Sequence, residues 1–543
     1  MKTGALTERL VGWILALLTT IVVIGNQQDV GVARDEVVYM QHGSRYADWW
    51  LGFGKADITK TFGGPGATDN NREHPPLIKT LFGLSEKLFH DKLGVNEVTA
   101  YRIPTAILHG ICVLLVYLMA LALWGFAEAV AGALLLLLLP RALFHAGLAA
   151  FDAPIMTLWF ATIYAYWKCL DGRKWPWHAG VVFGLALATK HNAFLLPFAI
   201  GAHYVVLGIR NRAAGWRGIV LHRWRVLASF IVLGPLMLIA VWPWLWFDTY
   251  QHVRDWIVFH TTHVHYNFEY LGDNWNAPRF PWHTALVTTL FTVPVVTLVA
   301  AALGAVSWFV RRTQVTEPAR APGLLLALSA VASIGPFFLG TTPIFGAEKH
   351  WMPALPSICI AAGVGVVWAA RLAIGSIQTL RPLPDRARSA ILAGVVLLVV
   401  SASAVETLTA QPYALTWYNA LAGGAAGGAD HGMNRQFWGV AARGVLPALA
   451  AEAPAAGAPA RHVYTHDAAP AWGIYHRVGL IPRSLPDAGW EQGGIDRSKL
   501  ALVIHEKHFN RHDYLIWKSY GTVQPMFVLR ANGVPVVSVY RRR

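Results

Sequence analysis

The chain has 543 residues, 55% of them hydrophobic and only 14% charged, with a mean hydropathy of +0.41. Apolar runs of about twenty residues recur along it, the length that crosses a hydrocarbon core of roughly 30 Å, so a polytopic membrane protein is indicated and a soluble enzyme is excluded. A net charge of +15 would suggest nucleic acid in a soluble chain, but here the basic residues gather in short loops between apolar runs, as topology determinants do, and a nucleic-acid partner is discounted.

The first element is the apolar run Leu10 to Ile24 behind Lys2 and Arg9. No small-residue cleavage site stands out after Ile24, which favours a retained first helix over a signal peptide. By the length criterion about eleven spans follow in order: Val11–Gly25, Ile103–Trp124, Ala127–Leu143, Pro154–Leu170, Trp177–Thr189, Ala193–Ile209, Val226–Trp246, Ala285–Val310, Leu324–Leu339, Met352–Ala370 and Ile391–Val405. Cys112, Cys169 and Cys359 all fall inside these runs, so no disulfide framework is implied.

Basic clusters at Arg173/Lys174, Arg210/Arg212/Arg217/Arg223/Arg225, Arg311/Arg312/Arg320 and Arg371/Arg381/Arg386/Arg388 share a side with Lys2 and Arg9. By the positive-inside rule that side is cytoplasmic, giving an N-in, C-out arrangement. Residues 28–100, 248–283 and everything from 411 onward then face outward. The fold class is an α-helical polytopic membrane protein, 1–410, with a small outward α/β domain, 411–543. Its strands are expected at His462–Tyr464, Leu500–His505, Thr522–Leu529 and Val534–Tyr540. Within 28–100, Leu77, Leu81, Leu84 and Leu88 share one helical face behind Pro75-Pro76, the pattern of an interfacial helix.

Three constellations carry chemistry. Asp35 and Glu36, in Arg34-Asp35-Glu36-Val37-Val38-Tyr39, follow the first span at the outer face, where partial desolvation poises a carboxylate as a general base; the alternative is a solvated loop acid. Glu73-His74-Pro75-Pro76-Leu77-Ile78-Lys79 sets an acid, an imidazole and an ammonium around a rigid Pro-Pro. Arg102, Arg141, His145, Asp152, Lys190 and His191 recur at outer span ends, where snorkelling anchors are the bland explanation for each alone. His260, His263 and His265 are metal candidates, against an aromatic interfacial loop containing Trp256, Phe259, Tyr266, Phe268, Tyr270 and Trp275.

These motifs, with Tyr101-Arg102-Ile103-Pro104, Phe144–Pro154, Gly184–Asn192, Tyr270-Leu271-Gly272, Pro278–His283, Leu415–Gly424 and Phe437-Trp438-Gly439, resemble protein O-mannosyltransferases and their bacterial relatives, including aminoarabinose-transferase-like enzymes. The resemblance implies a GT-C glycosyltransferase that uses a polyprenyl-phosphate sugar. It implies inverting transfer of a hexose, mannose by family, to a protein, lipid or glycan hydroxyl at the periplasmic face of a bacterial plasma membrane. By resemblance Asp35 is the base and Glu36 its orienting neighbour, with the two roles exchangeable. Arg102 ranks first for the donor phosphate, ahead of Lys79 and Lys190, because its planar fork matches phosphate oxygens. His74, Asp152 and Arg141 are assigned to substrate, and a divalent metal stays open. The large lumenal insertion of eukaryotic members is absent, which weakens the case for a protein acceptor. A transporter or lipid-linked sugar flippase is the rival, disfavoured by the lack of an internal repeat and by ionisable groups gathered at one face.

Overall fold

The computed structural model describes residues 2–53, 55–63, 73–170, 176–210, 212, 215, 217, 223–310, 320–489 and 491–543. Arg173, Lys174, Arg311 and Arg312 of the basic clusters lie outside the described residues. The first helices are α1 (Lys2–Asn26), α2 (Arg34–Leu51), α3 (Ile58–Phe62), α4 (Leu77–Ser85) and α5 (Glu97–Leu123). Then come α6 (Phe126–Leu137), α7 (Pro140–Ala146), α8 (Asp152–Cys169), α9 (Trp177–Leu187) and α10 (Leu196–Arg210).

Among the described residues seven helices are long and apolar enough to span a bilayer: Leu6–Asp29, Glu97–Leu123, His191–Arg210, Trp224–Val241, Pro322–Leu339, Met352–Leu380 and Asp385–Ala410. The expected spans Ala127–Leu143 and Ala285–Val310 are broken, the first bent by 68° between α6 and α7, the second by 116° between Thr284–Thr292 and Val295–Trp308. Pro140 and Pro294 stand at the two breaks, where proline removes an N–H and crowds the preceding turn. The remaining two of the eleven fare differently. Helix α8 forms, but its Trp, Tyr and Thr residues are packed on nearly every side, making it a core helix of the bundle. Helix α9 has only 11 residues, too few to cross.

Contacts between helix ends fix the bundle's polarity. Tyr117, late in α5, donates to the Glu8 carbonyl early in α1, and Arg371, late in Leu355–Leu380, pairs with Glu128 at the start of α6. The end that carries Arg9 and Arg371 is therefore opposite the end where α1 runs out, α5 begins and α2 lies. Residues 248–283 hold a short hairpin, β1 (Phe268–Tyr270) against β2 (Asp273–Trp275), in antiparallel register. The Leu77/Leu81/Leu84/Leu88 face of α4 and the turn beyond it is the more open one, while Ile78, Phe82 and Ser85 are buried. Helices α2 and α4 touch backbone to backbone at Gly43 and Gly83, since a Cβ at either would strike the other helix's carbonyl oxygen.

The C-terminal strands β3 (Val463–Tyr464), β4 (Leu500–Ile504), β5 (Phe527–Ala531) and β6 (Val534–Arg541) form a sheet in the order β3-β4-β6-β5. β3 runs parallel to β4 and the other pairings are antiparallel. One apolar core joins this sheet to the start of α2: Val32, Val37, Tyr39 and Met40 share it with Phe151, Trp438, Trp472, Leu500 and Val537. At Gly31 the chain presses so closely on Val440 that a Cβ would meet its carbonyl oxygen. The C-terminal part is thus packed onto the residues that follow the first span.

Candidate active site

The segment read as a loop is the first turn of α2. Its acids lie where the helix dipole favours negative charge. Neighbouring helical residues point about 100° apart, and this separates the fates of the two carboxylates. Glu36 is fully buried; it accepts from its own Ala33 N–H at 2.8 Å, from the Ala149 N–H at 2.6 Å, and from Arg102 Nε and Nη2, both at 2.8 Å. Arg102 also donates to the carbonyls of Gln27 (3.2 Å), Val30 (3.1 Å) and Gly31 (2.7 Å). All five guanidinium N–H groups are thereby used. Arg102, expected to bind the donor phosphate, instead holds Glu36 and the strand of chain between α1 and α2, with no donor left over.

Asp35 is the accessible member, its side chain 30% exposed. One oxygen accepts from Trp438 Nε1 at 2.9 Å, and the other lies 3.4 Å from Arg34 Nε. Arg34 in turn pairs with Asp467 of the C-terminal part at 2.9 Å. The orienting role fits Glu36 by geometry, and the open position is Asp35's.

Two buried ion pairs stand beside this turn. Lys190 Nζ donates to Asp152 Oδ1 at 2.7 Å, and Arg141 Nη1 donates to Glu348 Oε2 at 2.8 Å. Buried His145 lies between them, 3.9 Å from Asp152 and 3.6 Å from Glu348. Burial alone would raise the Asp152 carboxyl, but Lys190, Lys349 and His145 hold it down at about 2. Arg141 is engaged by Glu348, by the carbonyls of Leu415 and Trp417, and by the face of Tyr418 at 4.6 Å. Its expected contact with substrate is not supported by this placement.

Lys349 is the functional candidate that the sequence reading missed. It is 4% exposed, its ammonium sits 4.0 Å from the Trp438 ring centroid and 4.9 Å from that of Phe345, and among the described residues it makes no ion pair. Burial lowers it to about 8 against the attraction of Asp152 and Asp35. A buried unpaired cation is costly and is kept where a ligand supplies the anion. The available signal was Glu348-Lys349-His350 immediately before the span that begins at Met352, a charged run placed as Arg34-Asp35-Glu36 is placed after the first span.

The other expected residues are distributed more widely. Lys79 is buried on α4 with its ammonium 5.1 Å from the Tyr46 ring centroid. His74 packs between Phe151 (4.6 Å) and Tyr39 (5.8 Å); burial, with Lys190 and Lys79 nearby, holds its imidazole well below the usual range, that is, neutral. The metal triplet does not assemble. The helix Thr249–Thr261 ends before His263, so the three imidazoles share no face: His260 meets the Glu73 carbonyl and stacks on His191, His263 stacks on Phe345, and His265 on Phe280. Among the described residues no three His, Cys, Asp or Glu side chains are arranged to hold a metal ion.

A half-open carboxylate, a buried ammonium and buried ion pairs gather at one end of the helical bundle. The family model for dolichyl-phosphate-mannose-protein mannosyltransferases matches residues 73–246. No curated protein matches the chain. Among solved structures, the chain is similar to ArnT from Cupriavidus metallidurans bound to undecaprenyl phosphate, at 15% identity, 97% coverage of both chains and a TM-score of 0.50. It is also similar to the archaeal oligosaccharyltransferase AglB from Archaeoglobus fulgidus, solved with an inhibitory peptide and a dolichol phosphate, at 11% identity, covering 95% of this chain and 71% of that one, with a TM-score of 0.50. The family match covers about a third of the chain, and the likeness to ArnT over 97% of both chains shows a shared fold.

Proposed function

We propose that the chain transfers a hexose, mannose by its family match, from a polyprenyl-phosphate donor to the hydroxyl of a protein, lipid or glycan acceptor at the periplasmic face of a bacterial plasma membrane. The observation that carries this reading is the placing of the open Asp35 carboxylate and the buried Lys349 ammonium on the edge and the face of one ring, Trp438. The donor's lipid tail stays in the bilayer, so its phosphate reaches the protein at this boundary. Asp35 takes the acceptor's hydroxyl proton as the oxygen bonds to the anomeric carbon. The bond from that carbon to the phosphate oxygen breaks, the configuration inverts, and polyprenyl phosphate departs with the electron pair.

Negative charge grows on the leaving phosphate, and a preorganised cation in a water-poor site stabilises it more than the same cation in bulk water. Lys349 supplies that cation, with Lys190 beside it on Asp152 and Lys79 further along α4. Residues 1–410 form the catalytic unit in this reading, and 411–543 act as a cap that borders the acceptor's approach through Arg34–Asp467. Membrane vesicles given labelled polyprenyl-phosphate mannose test it: Asp35→Asn is expected to abolish transfer while expression holds, and wild-type activity in that variant overturns the assignment. Movement of intact donor across the vesicle without a new product would instead favour the transporter.

A further inference from the structure

Trp438 stands between the two groups that the proposed reaction uses. Its indole Nε1–H donates to Asp35 Oδ2 at 2.9 Å, while the Lys349 ammonium lies 4.0 Å from its ring centroid. Its carbonyl accepts the Arg34 N–H at 3.0 Å, tying the same residue to the start of α2. The backbone there is held in the left-handed region, with φ of 70° at Trp438 and 72° at Gly439. A bulky side chain adopts that conformation only where its surroundings demand it, and such strain collects at functional sites. Phe437 (4.9 Å) and His145 (5.8 Å) brace the ring edge-on.

An indole is electropositive at its N–H edge and electronegative on its face. Here an anion meets the edge and a cation meets the face, so each charge is satisfied by the ring rather than by the other. A carboxylate and an ammonium flanking one ring otherwise close into an ion pair. Such a pair would blunt the base and occupy the cation before any donor arrived. We infer that Trp438 is a positioning residue that holds Asp35 and Lys349 apart, so that base and phosphate-binding cation do not pair with each other in the resting enzyme. The inference rests on the proposed roles of those two residues. The other charged groups facing them are Arg34 on α2, Asp467 and Glu506 from the C-terminal part, Asp152 on α8 and Lys190 beyond α9.

The test uses the full chain in detergent with undecaprenyl-phosphate mannose as probe, and follows kcat/KM and donor KM from pH 5 to 9 together with thermal unfolding. Trp438→Phe keeps the ring face and loses the N–H. Donor KM is expected to stay within about twofold, while the acidic limb of kcat/KM moves up by about one pH unit, because the carboxylate loses a hydrogen bond that favours its charged form. Trp438→Leu loses both features. Lys349 then closes on Asp35, the acidic limb moves down, and donor KM rises about tenfold, because the donor must displace an ion pair of about 1–2 kcal/mol. Adding Lys349→Met to Trp438→Leu returns the limb upward. Limbs unmoved in Trp438→Phe, or moved in the same direction in both variants, overturn the inference. If Trp438→Leu fails to fold, the Trp438→Phe limb decides alone. Transfer retained in Asp35→Asn sinks the underlying reading instead, and is read in the same assay.

Discussion

Replacing Lys349 with methionine is expected to make the protein more stable and the enzyme poorer. The lysine is lowered from 10.5 to about 8, chiefly by burial, and that gap corresponds to about 3 kcal/mol of cost for keeping it charged at neutral pH. Its contact with the Trp438 face returns about 0.5–2 kcal/mol. A methionine of similar length removes the charge, keeps much of the packing, and is expected to gain about 1–3 kcal/mol at pH 7. The sign changes with pH in a defined way. Between about 8 and 10.5 the unfolded chain holds a proton that the folded chain has released, so wild-type stability rises with pH through that window and the variant's advantage shrinks. Thermal unfolding of both proteins in detergent at pH 7 and pH 10, alongside donor saturation curves, reads all of this. A variant less stable than wild type at pH 7, an advantage that persists undiminished at pH 10, or an unchanged donor KM would each refute the reasoning.

Asp35→Asn is expected to lower transfer by about 10²–10⁴-fold with an unfolding temperature near wild type, since the side chain is partly open and makes no buried ion pair; a large loss of stability in this variant would move Asp35 into the structural group. Arg102→Ala leaves Glu36 buried without its guanidinium and should cost about 3–5 kcal/mol, seen as loss of folded protein rather than as a selective rise in donor KM. Asp152, held at about 2 against an ordinary 3.8, contributes stability that is present above about 4 and is lost as pH falls toward 2. Asp152→Asn, which strands Lys190, should flatten that acid limb of the stability curve, and an unaltered limb counts against the Asp152–Lys190 pair as its source.

Length and composition made the long spans legible, because a hydrocarbon core asks only for apolar residues in sufficient number. They could not reveal the breaks before Pro140 and Pro294, nor that α8 is a core helix, since an apolar run bounded by partners reads like one bounded by lipid. The α2 helix escaped for a related reason: it buries Glu36, His42 and Tyr46 among its apolar residues, so its stripe is mixed. The acid pair was visible, but which acid is buried depends on what lies 66 residues away at Arg102. Local pattern ranks Arg102 highly as a phosphate ligand because it cannot see that each of its N–H groups is already taken.

Among buried and half-buried charges at such a site, the decisive property is therefore not the residue type but whether its partners are complete. Glu36 with Arg102, Asp152 with Lys190, and Glu348 with Arg141 are closed pairs, each costing little once formed and each costly to break. They fix the chain segments at that end of the bundle, and in the Arg102–Glu36 pair every guanidinium N–H is taken. Asp35 and Lys349 are held differently, one by an indole N–H and a long contact to Arg34, the other by aromatic faces. A lipid phosphate arriving at the boundary would satisfy the ammonium, and an acceptor hydroxyl would satisfy the carboxylate. In the proposed reaction, the absence of a direct Asp35–Lys349 pair is thus what leaves the ammonium for a phosphate at one end of the reacting bond and the carboxylate for a proton at the other.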